Sequence, residues 1–255
     1  LIIIIFSELI YKNNELLSFI YSIGLEEKLL SDYLLSQEED VSSASIFLLC
    51  EIAFLDREKS NTILQSLFNF SVNYLSVDDF SINYFASVNY RKKPVYTLFK
   101  SILFFLSGES DFLGIIIAND FCVLCNQTIS ILSELINNTD TLIESGVVDS
   151  VQIKENIKIF NTDLINISTL IFSILLLVVN DENGLGSFIS TELINSISEI
   201  EFIYPLQNQD LFSSLMDLFT CLISFSNSDI NQQIISSNII KQICACIATS
   251  EFTNK

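Results

Sequence analysis

The sequence predicts an all-α protein, a right-handed α-solenoid of about six helical repeats. Three observations lead to this prediction. Half of the 255 residues are hydrophobic while only 6 are Gly and 2 are Pro, a composition that disfavours both disorder and turn-rich β-sandwiches. Apolar stretches alternate with short polar clusters along the chain. Three C-terminal segments also share one pattern at a constant spacing, which is the signature of a repeat architecture.

The three repeated segments begin at residues 142, 188 and 234, so both intervals are 46 residues. They read LIESGVVDSV, FISTELINSI and IISSNIIKQI, with apolar residues at positions one, two, six, seven and ten. An apolar stretch that ends in a polar cluster precedes each of them: 129–140, 171–183 and 215–229. Each unit is therefore predicted to be a helix, a polar turn and a second helix.

Earlier copies follow the same alternation. The predicted helix-ending clusters fall near residues 13, 56, 109, 138, 182 and 228, a mean period of about 43 residues. No Pro/Gly-rich or single-charge stretch divides the chain, so we expect one repeat domain over residues 1–255, with the best-matching repeats at 127–247. Because the sequence lacks an initiator Met, we expect a fragment of a longer solenoid.

The repeat pattern also predicts how the units pack. It places apolar residues of a second helix on one inner face, for example Leu142, Val147 and Val151. One helix pair cannot bury such a face alone, so neighbouring pairs stack and share a continuous core. Small rotations between pairs then produce a curved stack with a concave surface, which suits an extended peptide.

The alternation of an apolar helix, a polar stop and a segment such as LIESGVVDSV resembles the armadillo repeat. Within that superfamily the chain is most similar to importin-alpha, the adaptor for basic nuclear-localisation peptides. Two segments, ASIFLLCEIA (44–53) and QTISILSELI (127–136), look like its groove-lining helix. That family places a Trp four residues before an Asn on this helix. This chain has no Trp, and the corresponding residues are Phe47 with Glu51 and Ser130 with Glu134.

The resemblance implies a partner-binding groove that includes Phe47, Glu51, Ser130 and Glu134. A Glu in the Asn position can attract Lys or Arg by charge. The simpler interpretation is a solvated helix face that carries a Glu, since exposed ion pairs contribute little.

The charge balance favours a protein or peptide partner. The chain has 31 Asp and Glu against 12 Lys and Arg, a formal net charge of -19. Such a chain repels the phosphates of nucleic acids and anionic lipid surfaces, whereas it attracts basic peptides at long range. We therefore expect a protein or peptide partner, with Lys/Arg-rich segments as candidates, and no nucleic acid.

The composition disfavours catalysis. There is no His, which excludes the His-dependent triads, His metal ligands and the usual proton shuttle at neutral pH. Cys122 and Cys125 form a single C-x-x-C pair, whereas zinc ribbons need two such pairs or His ligands. All six Cys lie in apolar sequence contexts, which is typical of buried, reduced thiols. We expect no enzyme activity, no cofactor and no metal.

A membrane alternative comes from the longest uncharged run, 164–180. It has 17 residues, several of them polar, and acidic rather than basic flanks. A spanning helix needs about 20 mostly apolar residues. A buried core helix is therefore the favoured interpretation of this run.

Three local features are interpreted as parts of helix ends. The acids Glu38, Glu39 and Asp40 are expected to cap a helix at 41–55. The basic run 91–93 is expected to be a solvated loop before a helix that starts near Pro94. Gly184 and Gly186 are expected to form a turn between helices.

Three function hypotheses remain open on the sequence alone. The first is a non-catalytic scaffold that binds an extended polypeptide along its concave surface, with a basic polypeptide as one candidate ligand. The second is an importin-alpha-like adaptor for nuclear import, a special case of the first. The third is a membrane-associated helical protein built around 164–180. We expect a cytoplasmic location, or a nuclear one for the second hypothesis.

Overall fold

The fold is known from a computed structural model. It describes residues 14–77, 80–86, 92–108, 111–146, 150–199, 209–225, 227–241 and 243–244. These residues form helices and the turns between them, and no strand occurs in these ranges. The predicted all-α class is confirmed.

The helices are named in chain order. They are α1 (Asn14–Ser22), α2 (Leu25–Lys28), α3 (Glu39–Leu55), α4 (Arg57–Leu75), α5 (Ile82–Ala86), α6 (Lys93–Gly108), α7 (Asp111–Ala118), α8 (Phe121–Glu144), α9 (Val151–Val179), α10 (Glu182–Ser190), α11 (Leu193–Glu199), α12 (Gln209–Ser224) and α13 (Ser228–Ser236). A π-helical turn, Leu29–Tyr33, follows α2 directly.

The chain divides into two compact units. Unit 1 consists of Leu1–Leu75 and Lys92–Asn119, and unit 2 consists of Ser76–Arg91 and Asp120–Lys255. A single repeat domain over residues 1–255 stays a prediction.

Unit 1 is built around α3, which packs against the π-helical turn, α4 and α6. Its buried side chains include Ile46, Leu49 and Ile52. The predicted acidic start is present, because Glu39 and Asp40 occupy the first turn of α3, where acids favour the positive helix end. The helix ends at Leu55, and Oδ1 of the next residue, Asp56, accepts the backbone N–H groups of Glu58 and Lys59 and so starts α4.

Unit 2 is built around α9, which packs against α5, α8, α10 and α12. This 29-residue helix contains the uncharged run 164–180 except for its last residue, and the run supplies most of the buried side chains of the helix. The apolar ones within the run are Leu164, Ile167, Ile171, Phe172, Ile174, Leu175, Val178 and Val179. Near the other end of α9, the Asn156 amide donates to the backbone carbonyl of Phe85, 2.8 Å away, and fixes α5 on α9.

Most of the predicted helix ends agree with the structure. Helices end at Leu55, Gly108, Val179 and Ser224, close to the clusters at 56, 109, 182 and 228. The cluster near residue 13 lies outside the described residues.

The predicted helix end near residue 138 is wrong, because α8 continues to Glu144. The helix tolerates Thr139 in this polar cluster because the Thr139 hydroxyl group forms hydrogen bonds inside unit 2. The Thr139 hydroxyl lies 2.7 Å from the Ile136 carbonyl and 3.0 Å from Asn161 Oδ1 on α9. Packing against α9 therefore carries the helix through a sequence that is typical of a helix end.

Within the residues that the structure describes, each repeated segment contains a corner where a helix ends, rather than one continuous second helix. In each segment the preceding helix ends at position three, and a hydroxyl residue, Ser145, Thr191 or Ser237, follows as the C-cap. The N–H of each cap residue donates to the carbonyl four residues earlier, at 3.0, 3.1 and 2.9 Å. In the first two segments the next residue, Gly146 or Glu192, has a positive φ of 67° or 53°.

The inner face predicted for the first repeated segment is therefore wrong in part. Leu142 is half-buried at the end of α8, and Val147 lies outside the described residues. Val151, the first residue of α9, is 83% exposed. The physical reason is the corner, since residues on opposite sides of a turn do not share one helix face.

The predicted Gly184–Gly186 turn is also wrong, because both residues lie inside α10. The turn comes earlier, at Asp181, whose side chain accepts the N–H groups of Asn183 and Gly184 and caps α10. A Cβ atom on Gly184 would lie 2.1 Å from the Val178 carbonyl oxygen, so only Gly permits this approach of α10 to α9. A Cβ atom on Gly186 would contact nothing within 4 Å.

This pair of glycines allows a matched stability test. We expect Gly184→Ala to lower the free energy of unfolding by about 3 kcal/mol, because the methyl group must displace backbone atoms. Gly186→Ala should raise it by about 0.5 kcal/mol, since Ala is the better helix former. Urea unfolding followed by circular dichroism measures both, and equal effects would contradict the close approach at Gly184.

Candidate polypeptide-binding faces

Ser130 and Glu134 lie one turn apart on α8, and both are exposed. They belong to a continuous exposed face that recurs every three or four residues. We call it the α8 face: Val123, Gln127, Ser130, Glu134, Asn137 and Thr141. At 1.5 Å per residue the face is about 27 Å long, enough for about eight residues of extended chain.

The opposite side of α8 is fixed inside unit 2. Buried residues such as Leu124, Ile129, Leu132 and Leu135 pack α8 among α9, α10 and α11. Asn126 also donates to the Thr191 carbonyl at 3.0 Å and accepts a hydrogen bond from the Ser196 hydroxyl. The α8 face is therefore presented by a helix that cannot rotate freely.

A second exposed face of unit 2 lies on α12 and is acidic. Asp210, Ser213, Asp217, Thr220 and Ser224 are all exposed and follow the same spacing of three and four residues. Apart from Val123, the side chains of both faces are thus polar, and their charged members are acidic.

Phe47 and Glu51 lie one turn apart on α3, in unit 1, so the four predicted groove residues are divided between the two units. The Phe47 ring is half-buried. Glu51 is only 1% exposed, and within the described residues its Oε2 has no hydrogen-bond partner. The solvated-face interpretation is therefore wrong for Glu51, while it agrees with the exposure of Glu134. Burial raises the pKa of Glu51 to about 8, because the charged form loses its water.

Phenylalanine rings surround this part of α3. We call them the α3–α6 aromatic cluster: Phe47, Phe54, Phe104, Phe105 and Phe112. The ring of Phe54 stacks on Phe105 with centroids 5.2 Å apart. Phe105 and Phe112 are buried, whereas Phe104 is 53% exposed. The cluster therefore extends from the core of unit 1 to its surface.

The structure corrects the interpretation of the basic run at 91–93. Arg91 lies outside the described residues, and Lys93 pairs with Asp40, as expected for an exposed residue. Lys92, in contrast, is only 2% exposed. Its Nζ donates to the Tyr74 carbonyl at 2.7 Å and lies 5.2 Å from the centre of that ring.

Burial lowers the pKa of Lys92 to about 8, although Glu39 acts in the opposite direction. Its carbonyl partner lies in the last turn of α4, where cations stabilise the negative helix end. The role of Lys92 is thus to hold the start of α6 on the end of α4. The sequence showed only a basic run, which is normally solvated.

Three of the predicted buried thiols are confirmed: Cys50, Cys122 and Cys125 are buried free cysteines. Burial raises the pKa of each thiol, which reduces its reactivity. Cys221 is half-buried, Cys244 is exposed, and Cys246 lies outside the described residues. In the described ranges no group of three or more Cys, Asp or Glu side chains is arranged to hold a metal ion.

One helix of the described chain, α9, is by itself long and apolar enough to cross a membrane. Just over half of its most apolar 18-residue window, 56%, is buried within the protein. This burial agrees with the interpretation of 164–180 as a core helix, although a core helix and a spanning helix pass the same test of length and composition.

Comparison with protein-family models, with curated proteins and with solved structures found no match for this chain.

The burial of Glu51 predicts a pH-dependent stability. Its pKa is about 8 in the folded chain and near the ordinary 4.5 in the unfolded chain. The folded state thus keeps a proton that the unfolded state releases, and this contribution to stability is lost as the pH rises from 4.5 to 8. We expect Glu51→Gln to match the parent near pH 5 and to exceed its free energy of unfolding by about 3 kcal/mol at pH 8.

Denaturant unfolding between pH 5 and 8 measures this difference. The matched control is Glu134→Gln, which removes an exposed carboxylate and should change the free energy by less than about 0.5 kcal/mol throughout. A constant difference between Glu51→Gln and the parent would refute the buried, protonated state of Glu51.

Proposed function

We propose that this chain is a non-catalytic, armadillo-like scaffold that binds an extended polypeptide along exposed helix faces, with Lys/Arg-rich segments as its preferred ligands. The observation that carries the proposal is the α8 face. It is about 27 Å long, polar, and held rigidly by a packed opposite side. Rigid presentation lowers the entropy cost of binding, which is what an extended ligand needs.

The corners support a repeat architecture. They fall at equivalent positions of segments 46 residues apart, with the same cap hydrogen bond in all three. Within unit 2, the apolar stretches 129–140, 171–183 and 215–229 that precede the repeated segments lie mainly on α8, α9 and α12, and α9 packs against both of the others. Contacts between sequential copies are what a stacked repeat requires.

Charge supports the choice of ligand. The chain has a formal net charge of -19, and the exposed α12 face contributes Asp210 and Asp217. A basic segment is therefore attracted at long range before any contact forms. The importin-alpha-like adaptor is the narrower version of the same proposal, with basic nuclear-localisation peptides as ligands and a location in cytoplasm and nucleus.

A salt-dependent binding assay tests the scaffold proposal. The probe is a fluorescent ten-residue peptide of alternating Lys and Gly, measured by anisotropy. We expect binding that weakens about tenfold between 50 and 300 mM salt, because the attraction is largely electrostatic. Glu134→Lys should weaken binding about fivefold at low salt, because it reverses the charge on the α8 face.

The matched control is Glu155→Lys, which makes the same charge change at an exposed position of α9 in unit 2. It should weaken binding less than twofold. Equal losses in the two variants would show that only net charge matters, and no binding of the peptide at any salt concentration would refute the proposal.

Membrane association remains the second candidate, because α9 is long and apolar enough to span a bilayer. We expect the chain to stay in the aqueous phase during detergent phase separation, since the apolar residues of α9 pack inside unit 2. Recovery in the detergent phase, together with loss of that behaviour on Ile171→Asp, would favour the membrane hypothesis instead.

A further inference from the structure

One face of α3 combines a carboxyl group with aromatic rings. Glu51 lies one turn after Phe47 and one turn before Phe54, so the three side chains share a helix face. The rings of Phe47 and Phe54 both contact Phe105 on α6, with centroids 5.8 and 5.2 Å apart. The carboxyl group is therefore on the side of α3 that faces α6, between two rings that already contact that helix.

One oxygen of this carboxyl group is buried without a hydrogen-bond partner in the described part of the chain. Glu51 is 1% exposed, and its buried Oε2 has no hydrogen-bond partner among the residues that the structure describes. Folding has removed water from this oxygen without replacing its hydrogen bonds, which costs about 1–3 kcal/mol. A ligand that supplies a cationic donor would recover this loss.

The aromatic rings next to Glu51 provide surfaces that can attract a cation and cover its apolar stem. Phe104 is 53% exposed and contacts Phe47 and Phe105, with centroids 6.2 and 5.2 Å apart. The face of an aromatic ring attracts ammonium and guanidinium groups, and it also covers their apolar stems. The exposed ring of Phe104 thus contacts Phe47, which lies one turn from Glu51 on α3.

We propose that this site between α3 and α6 binds a Lys or Arg side chain of a basic polypeptide, with its stem on Phe47 and Phe104 and its charged end on Glu51. The proposal rests on the scaffold function proposed above and names the residues of unit 1 that recognise the cation.

Binding at this site is coupled to proton release. With a pKa of about 8, Glu51 is protonated in the free chain at pH 7. A bound cation stabilises the carboxylate, so the proton leaves to solvent as the ligand binds. Proton release on binding is therefore the signature of a ligand at this site.

Burial is the cause of the raised pKa of Glu51. The other titratable and charged groups on the elements that pack against α3 are Asp32 and Tyr33 on the π-helical turn, Arg57, Glu58, Lys59 and Tyr74 on α4, and Lys93, Tyr96 and Lys100 on α6. Three of these cations already have carboxylate partners: Arg57 pairs with Asp111, Lys59 with Glu26, and Lys93 with Asp40.

Calorimetry in buffers of different ionisation enthalpy tests the proposal with the same Lys–Gly peptide at pH 7. We expect the parent chain to release about one proton per bound peptide. Glu51→Gln, which keeps the shape of the side chain, should release none and bind about tenfold more weakly. Phe104→Leu should bind about threefold more weakly. Its matched control, Phe19→Leu, changes an exposed Phe on α1, and its affinity should not change.

The outcomes separate this inference from the scaffold proposal. Unchanged affinity and proton count in a folded Glu51→Gln variant would overturn the α3–α6 site, while sensitivity to Glu134→Lys would still support the scaffold. Equal losses in Phe104→Leu and Phe19→Leu would also overturn it. Absence of any peptide binding would overturn both proposals.

Discussion

Burial of two central helices, α3 in unit 1 and α9 in unit 2, is the interaction on which the rest of the structure depends. Each packs against helices on more than one side, so each needs apolar residues around most of its circumference. Ser residues buried in such helices can be satisfied within their own helix. Ser45 Oγ donates to the Val41 carbonyl, and Ser168 Oγ donates to the Leu164 carbonyl. These hydrogen bonds within one helix explain how a Ser-rich chain forms buried helices. The apolar residues around most of α9 explain why the sequence of 164–180 is similar to that of a membrane-spanning helix.

Where a helix end depends on local chemistry, the sequence predicted it. The ends near 56, 182 and 228 coincide with side chains that cap the next helix: Asp56, Asp181 and Asn227 accept backbone N–H groups. The cluster at 137–140 has the same composition, yet α8 continues through it. The difference is Asn161, a partner on another helix that accepts from Thr139, and no pattern within one segment could reveal it.

The candidate site was predictable from the sequence where it depends on helical periodicity, and not where it depends on contacts between helices. Helical periodicity identifies positions 130 and 134 as neighbours on one face, and their exposure follows from polar residues at 127, 137 and 141. The burial of Glu51 and Lys92 was missed because charged residues are normally solvated. For Glu51 a signal existed, since Phe47 and Phe54 occupy the same face and indicate a packed neighbour. For Lys92 there was none, because its partner is a backbone carbonyl.

The corner at Glu192 shows that packing as well as local preference sets the backbone conformation. A left-handed backbone costs about 1 kcal/mol for a residue with a Cβ atom, and Gly146 avoids this cost at the equivalent position. Glu192 adopts the same conformation without that advantage, and with the same hydrogen bond three residues back. Packing of α10 and α11 against α8 must therefore offset the strain. A corner whose left-handed residue is not glycine is thus held in its conformation by the neighbouring helices.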